Sequence, residues 1–171
     1  MRRVEFVLLA GLTAVAAIAA ADNRARFAGT WTMDPARSES AHQDLPTDSA
    51  TLVIGFTDSE LTMETTRSER GKAFHENLHF RLDGSETTTT GDSGVPVTGK
   101  ARWDGPKLVV ETVRNIQDST VTTLYVHSLS PNGRDLLIDK TLTVQHGYQG
   151  QNAPTTGHGK DVFVRAAKAG K

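Results

Sequence analysis

Short runs of alternating apolar and polar residues follow one another along the chain from residue 51 onward. Each run is rich in Val, Ile, Thr, Phe or Leu and ends at a cluster of turn-forming residues. A period of two residues is typical of a β-strand with one buried face. We therefore predict strands at 51–56, 60–66, 73–82, 95–103, 107–114, 120–129, 135–145 and 160–165, with a shorter strand at 29–33.

Turn residues separate these runs at Thr57-Asp58-Ser59, Asp83-Gly84-Ser85, Asp104-Gly105-Pro106 and Pro131-Asn132-Gly133. Gly and Pro supply the positive or fixed φ of tight reversals, so each cluster is expected to join two antiparallel neighbours. The best helical candidate, 34–41, is interrupted by Pro35. Consecutive antiparallel strands leave two unpaired edges unless their sheet closes. The pattern thus predicts an all-β fold, a single up-and-down antiparallel β-barrel of about eight to nine strands.

The alternation also assigns each side chain to one face of its strand. The opposite, polar faces carry mostly Thr, Glu, His, Arg and Asp, so we expect almost no titratable group inside the barrel. In 120–129 both faces are mixed, which leaves the direction of Tyr125 and His127 open. The predicted inward set is Leu52, Ile54, Phe56, Leu61, Met63, Phe74, Leu78, Phe80, Leu108, Val110, Leu136, Ile138, Leu142 and Val144.

An export signal is predicted at the N-terminus. Met1-Arg2-Arg3 precedes an apolar, Ala-rich stretch that ends Ala19-Ala20-Ala21. This order of cationic start, short apolar run and small residues is typical of a secretory signal peptide. We expect cleavage after Ala21, which divides the chain into a signal peptide at 1–21 and one domain at 22–171. The mature protein would then be periplasmic or secreted.

Composition narrows the class of protein further. The chain has 19 basic and 20 acidic residues, a net charge of −1 and no cysteine. The absence of cysteine excludes disulfides and Cys-ligated metals, and no basic stripe points to nucleic acid. An aromatic content of 6% is thin for the two girdles of an outer-membrane barrel. We expect a monomer that is not embedded in a membrane.

The segment Phe27-Ala28-Gly29-Thr30-Trp31 resembles the Gly-x-Trp motif at the start of lipocalin-like (calycin) barrels, which include the fatty-acid-binding proteins. In those families the Trp closes one barrel end and stacks on an Arg of the final strand. The resemblance assigns barrel closure to Gly29, Trp31 and Arg165, with the Arg165 guanidinium over the indole as a cation–π contact.

The chain is also similar to small secreted bacterial lipocalin-like proteins of unknown function. The similarity rests on Asp34-Pro35-x-x-Ser38, Trp103-Asp104-Gly105-x-Lys107-Leu108 and Ser130-Pro131-x-Gly133. Two features of fatty-acid-binding proteins are missing. Phe163-Val164-Arg165 stands in place of the Arg-x-Tyr that holds the fatty-acid head group, and 35–51 has no room for a two-helix lid. The resemblance therefore does not imply a fatty acid.

Two motifs carry weak chemical signals. Gly91-Asp92-Ser93-Gly94-Val95 is like the nucleophile motif of chymotrypsin-like proteases, but those enzymes are larger and have Gly at the fifth position. His75 and His79 would chelate zinc on a helix, whereas on a strand this spacing spans about 13 Å. We assign no catalytic residue, no metal site and no cofactor. The polar, Gly-rich stretch 146–159 is predicted to be a long loop.

The leading functional hypothesis is an exported binding protein that is not an enzyme and holds a small hydrophobic ligand inside its barrel. The alternative is a barrel with a filled core that acts through its surface loops on a partner the sequence does not identify. The strand pattern does not decide between a cavity and a filled core. The predicted ligand-binding residues are Phe56, Met63, Phe80, Val110, Ile138 and, if their strand turns them inward, Tyr125 and His127.

Overall fold

The structure, a computed structural model, describes residues 23–39, 47–91, 94–147 and 153–167. The predicted signal peptide at 1–21 lies outside these residues. A helical turn at 23–27 precedes the first strand, and a short 3₁₀ turn, Pro35–Arg37, follows it. No helix within the described ranges is both long and apolar enough to cross a membrane. The strands are β1 Gly29–Met33, β2 Ser49–Phe56, β3 Glu60–Glu69, β4 Lys72–Arg81, β5 Thr87–Thr90, β6 Pro96–Asp104, β7 Lys107–Ile116, β8 Ser119–Leu129, β9 Asp135–His146 and β10 Thr155–Arg165.

These ten strands form one antiparallel sheet in the order β4-β3-β2-β1-β10-β9-β8-β7-β6-β5. The all-β antiparallel prediction is confirmed, but the predicted count of eight to nine strands is wrong. The additional strand, β5, is a run of four threonines that pairs with the start of β6. Thr is β-branched and pairs well in strands, yet a wholly polar run gives no apolar alternation to reveal it.

The sheet curls until its two outer strands approach each other without forming a ladder. The prediction that Asp83-Gly84-Ser85 joins two paired strands is therefore wrong, because β4 and β5 lie at opposite ends of the sheet. The gap is bridged by Thr87, whose hydroxyl lies 3.1 Å from the His79 carbonyl oxygen and 3.3 Å from that of Gly99. A Cβ at Gly99 would lie 2.5 Å from the Phe80 ring, so the approach requires glycine.

The last strand begins earlier than the sequence indicated. Thr155 to Gly159, predicted as part of a long loop, pair with Val144 to Lys140 of the twelve-residue β9. Glycine lowers the intrinsic propensity of a segment to form a strand, and Gly157 and Gly159 therefore led to the prediction of a loop here. A long partner strand supplies the hydrogen bonds that override it.

The Asp34-Pro35-x-x-Ser38 motif fixes the chain where it leaves β1. The Ser38 hydroxyl donates to the Asp34 carbonyl at 2.7 Å and accepts the Val162 amide of β10 at 3.0 Å. Arg37 binds the Asp34 carboxylate at 2.7 Å and reaches Asp135 at 3.3 Å. The motif thus ties the β1–β2 connection to the last two strands.

One apolar core occupies one end of the barrel. Trp31, Leu61, Leu108 and Leu136 have no exposed surface, and Phe27 from the helical turn is almost fully buried beside them. The Trp31 indole N–H donates to the Phe27 carbonyl at 2.9 Å. This end of the barrel is therefore filled with side chains.

Candidate cavity

Toward the other end of the barrel the interior opens into a cavity of about 390 Å³. Its wall is drawn from nearly every strand, because inward side chains alternate along each of them. The apolar part of the wall includes Met33, Leu52, Met63, Leu78, Phe80, Val110, Ile138, Leu142 and Phe163. Such a cavity has the concave, mostly apolar form of a small-molecule site.

The structure brings most of the predicted ligand-binding residues together. Met63, Phe80, Val110, Ile138, Tyr125 and His127 all line the cavity. Phe56 does not line it. Its ring stacks on Trp103 at a centroid distance of 5.8 Å, beside the edge-on ring of Phe27. Phe56 lies at the end of β2 on the filled side of the barrel, and the alternation gives the face of a side chain but not its height.

The three residues assigned to barrel closure meet at the filled end, where the exposed Arg165 covers the buried Trp31. The Arg165 guanidinium carbon lies 4.1 Å from the centroid of the Trp31 ring. The same guanidinium donates to the carbonyl oxygens of Ala28, at 2.9 Å, and Arg26. Gly29 has a φ of 123°, and a Cβ there would lie 3.1 Å from Arg165. Gly29 thus permits both the backbone conformation and the close approach of the guanidinium.

Tyr125 and His127, whose direction the sequence left open, both point inward with their rings 6.2 Å apart. His127 is fully buried, and its Nδ1 lies 3.1 Å from the Leu108 carbonyl oxygen. Because a carbonyl only accepts, Nδ1 carries the proton in this bond, and neutral His127 keeps Nε2 as an acceptor. Burial lowers the pKa of His127 from 6.5 to about 4, against the opposing effect of the Leu108 hydrogen bond. His127 is therefore uncharged at neutral pH.

A second polar side chain on the cavity wall is Thr112. It is 1% exposed, and its hydroxyl has no hydrogen-bond partner within the described part of the chain. Leaving a buried hydroxyl unpaired costs roughly 1–3 kcal/mol. Apolar patterning drew attention to its neighbour Val110 instead, and only the tertiary structure identifies Thr112 as a polar group on the wall.

Charged side chains line part of the cavity. This finding contradicts the expectation of a barrel interior with almost no titratable group. Six of them line it: Arg67, Glu69, Glu76, Arg114, Lys140 and Asp161. They occupy inward positions of their strands, as Glu76 does between Phe74 and Leu78. None of them is in the inward set predicted from the sequence, which contains only apolar residues. Their place in the alternation was the available signal.

The six charges form three ion pairs. Arg114 meets Glu76 at 2.7 Å, Lys140 meets Asp161 at 2.8 Å and Arg67 meets Glu69 at 2.8 Å. The first two pairs keep only about a fifth or less of their side-chain surface exposed. The Arg114–Glu76 pair also joins β7 to β4 across the open seam of the sheet. Removing one member of such a pair would leave a poorly solvated charge behind.

The weak chemical motifs do not converge on this site. His75 faces outward on β4, with its Nδ1 3.0 Å from the Thr66 hydroxyl oxygen, and His79 is also exposed. Within the described ranges no three His, Cys, Asp or Glu side chains are grouped closely enough to hold a metal ion. Ser93 of the protease-like motif, and His42, lie outside the described residues.

Comparison with known proteins gives a consistent answer on architecture. No family model and no curated protein sequence matches the chain. Solved structures do match. The apo lipid binding protein 8 of Caenorhabditis elegans superposes with a TM-score of 0.54 at 15% identity, covering 83% of this chain and 96% of the other. The fold is a calycin-type β-barrel.

Two further barrels superpose comparably. The REP1-NXSQ fatty acid transporter has a TM-score of 0.53 at 13% identity, covering 85% of this chain and 99% of the other. A SAHS protein from Ramazzottius varieornatus has a TM-score of 0.53 at 16% identity, covering 82% and 96%. At these identities the similarity establishes only that the chain has this barrel fold.

Proposed function

We propose that the protein binds a small, largely apolar molecule inside its barrel. The observation that carries this proposal is the cavity of about 390 Å³, which lies within the range of roughly 300–1,000 Å³ usual for ligand sites. Two barrels of the same fold are described as a lipid binding protein and a fatty acid transporter, which supports a hydrophobic ligand. Affinity would come from apolar ligand surface buried at about 25 cal/mol per Å².

The competing hypothesis of a filled core predicts no interior space. It fits the end of the barrel around Trp31 and Leu108, which is packed, but not the end around Tyr125, which is open. Binding is also favoured over catalysis. The cavity's charges are committed to one another in pairs, and His127 is bonded to backbone. None of these groups is arranged as a nucleophile beside a free base.

A titration with the neutral fluorophore N-phenyl-1-naphthylamine tests this proposal. Val110→Trp places a large ring in the cavity and should abolish the fluorescence gain seen with the wild-type protein. Met63→Trp is a second variant, because Met63 borders the cavity without being fully buried and disturbs the packed end less. Val53→Trp is the matched control, since Val53 is 38% exposed on the outer face of β2.

Loss of fluorophore binding in both cavity variants, with circular dichroism and binding by Val53→Trp unchanged, would support an interior site. Equal binding by all four proteins would place the fluorophore on the surface and refute the proposal. A wild-type protein that does not bind the fluorophore would also count against it.

We further propose that the barrel functions after export, as a monomer released by cleavage between Ala21 and Asp22. The order of charge, apolar run and small residues in 1–21 supports export and cleavage. Expression of the whole chain in a bacterial host, followed by N-terminal sequencing of the periplasmic or secreted protein, should give Asp22 as the first residue. Recovery of the intact chain from the cytoplasm would refute it.

A further inference from the structure

The electrostatic balance of the cavity points to the class of ligand. Three cationic and three anionic side chains line it, and each cation is within 2.8 Å of a carboxylate of the same set. His127 contributes no charge at neutral pH because burial lowers its pKa to about 4. The described wall therefore offers no unpaired positive charge to an anionic ligand.

On the part of the wall that the structure describes, an anion could gain a cation only by breaking one of these pairs. The least exposed pairs are Arg114–Glu76 and Lys140–Asp161. A ligand carboxylate that took Arg114 would leave Glu76 without a partner in a site from which water is partly excluded, and such an orphaned charge is costly. The third cation, Arg67, is held twice, by Glu69 at 2.8 Å and over the Phe74 ring at 5.2 Å.

A neutral ligand meets no such obstacle. Its apolar body would lie among Met63, Val110 and Ile138, and a hydroxyl or carbonyl oxygen would find hydrogen-bonding groups on the same wall. The Thr112 hydroxyl borders the cavity and has no partner among the described residues, and Nε2 of His127 is an acceptor. These groups complement an oxygen without charge.

We propose that the cavity selects uncharged, weakly polar ligands, such as long-chain alcohols or esters, and discriminates against carboxylates of the same chain length. This proposal rests on the proposed binding function and specifies its ligand class. It makes the paired charges specificity-determining groups that exclude anions.

The test is displacement of N-phenyl-1-naphthylamine by 1-decanol, methyl decanoate and decanoate at pH 7.5. We expect the alcohol and the ester to displace the fluorophore at concentrations at least tenfold below that of decanoate. Because any apolar pocket favours a neutral molecule, the deciding variant is Glu76→Gln. This change leaves Arg114 without its carboxylate and should improve displacement by decanoate about tenfold relative to displacement by 1-decanol.

Glu64→Gln is the matched control, since it removes the same charge from an exposed residue of β3 and should change neither affinity. Decanoate binding as tight as that of the ester in the wild type, or no selective gain in Glu76→Gln, would overturn the proposed selectivity and leave the binding function standing. Failure of the fluorophore and of all three competitors to bind would instead refute the binding function on which the selectivity rests.

Discussion

The buried His127 makes the stability of this barrel depend on pH. Its imidazole is fully enclosed, and its Nδ1 donates to the Leu108 carbonyl at 3.1 Å. Burial lowers its pKa from 6.5 to about 4 in the folded protein. Between these two values the unfolded chain binds a proton at this position and the folded chain does not.

The sign and size of the effect follow from this difference. Because the pKa of His127 is lower in the folded protein than in the unfolded chain, the stability that neutral His127 contributes is fully present above pH 6.5. This contribution is lost as the pH falls toward 4. At pH 5, about 1.5 pH units below the ordinary histidine pKa, protonation of the unfolded chain should lower the free energy of unfolding by about 2 kcal/mol relative to pH 7.5. At pH 4 the loss should reach about 3 kcal/mol.

Urea denaturation at pH 7.5 and pH 5 of the wild type and of His127→Gln provides the assay. The variant should lose roughly 1 kcal/mol at pH 7.5, because its hydrogen bond to Leu108 is weakened. Its change in stability between the two pH values should be about 2 kcal/mol smaller than that of the wild type. His79→Gln, at an exposed position, should keep the wild-type pH dependence. An identical pH dependence in wild type and His127→Gln would refute the reasoning.

Further predictions concern the barrel end and the cavity wall. Arg165→Met should lower the free energy of unfolding by about 2 kcal/mol in urea denaturation, because it removes the cation–π contact with Trp31 and two hydrogen bonds to backbone. Arg102→Met, at an exposed position, is the control, and an equal effect of both changes would contradict the closure role. Thr112→Val should raise the unfolding free energy by about 1 kcal/mol, because the shape is kept and a buried hydroxyl with no partner in the described ranges is removed. A lower thermal midpoint for Thr112→Val would show that this hydroxyl has a partner in solution.

Much of the barrel was predictable from the period-two pattern and the turn residues. The pattern identified the inward face of β2 through Leu52 and Ile54, and Gly105 and Gly133 have the positive φ that their turns require. It failed at β5 and at the start of β10, where threonines and glycines pair because of neighbouring strands. Local propensity contains no information on such partners.

The site was predictable only in part, for a related reason. Alternation gives the side of the sheet on which Val110 or Met63 lies, but not its height along the barrel, so Phe56 was grouped with residues that line the cavity. Charged residues such as Glu76 and Lys140 are tolerated inside because each finds a counterion on another strand. Those pairings join residues far apart in the sequence and become visible only when the sheet is curled.

Native mass spectrometry tests the central claim, an interior binding site, most directly. The protein, expressed as the whole chain and purified, is incubated with an extract of lipids and hydrophobic metabolites and then sprayed under non-denaturing conditions. The account predicts a retained adduct in the wild type and in Val53→Trp that is absent in Val110→Trp and Met63→Trp. A folded wild-type protein that stays bare in every condition would contradict an interior site.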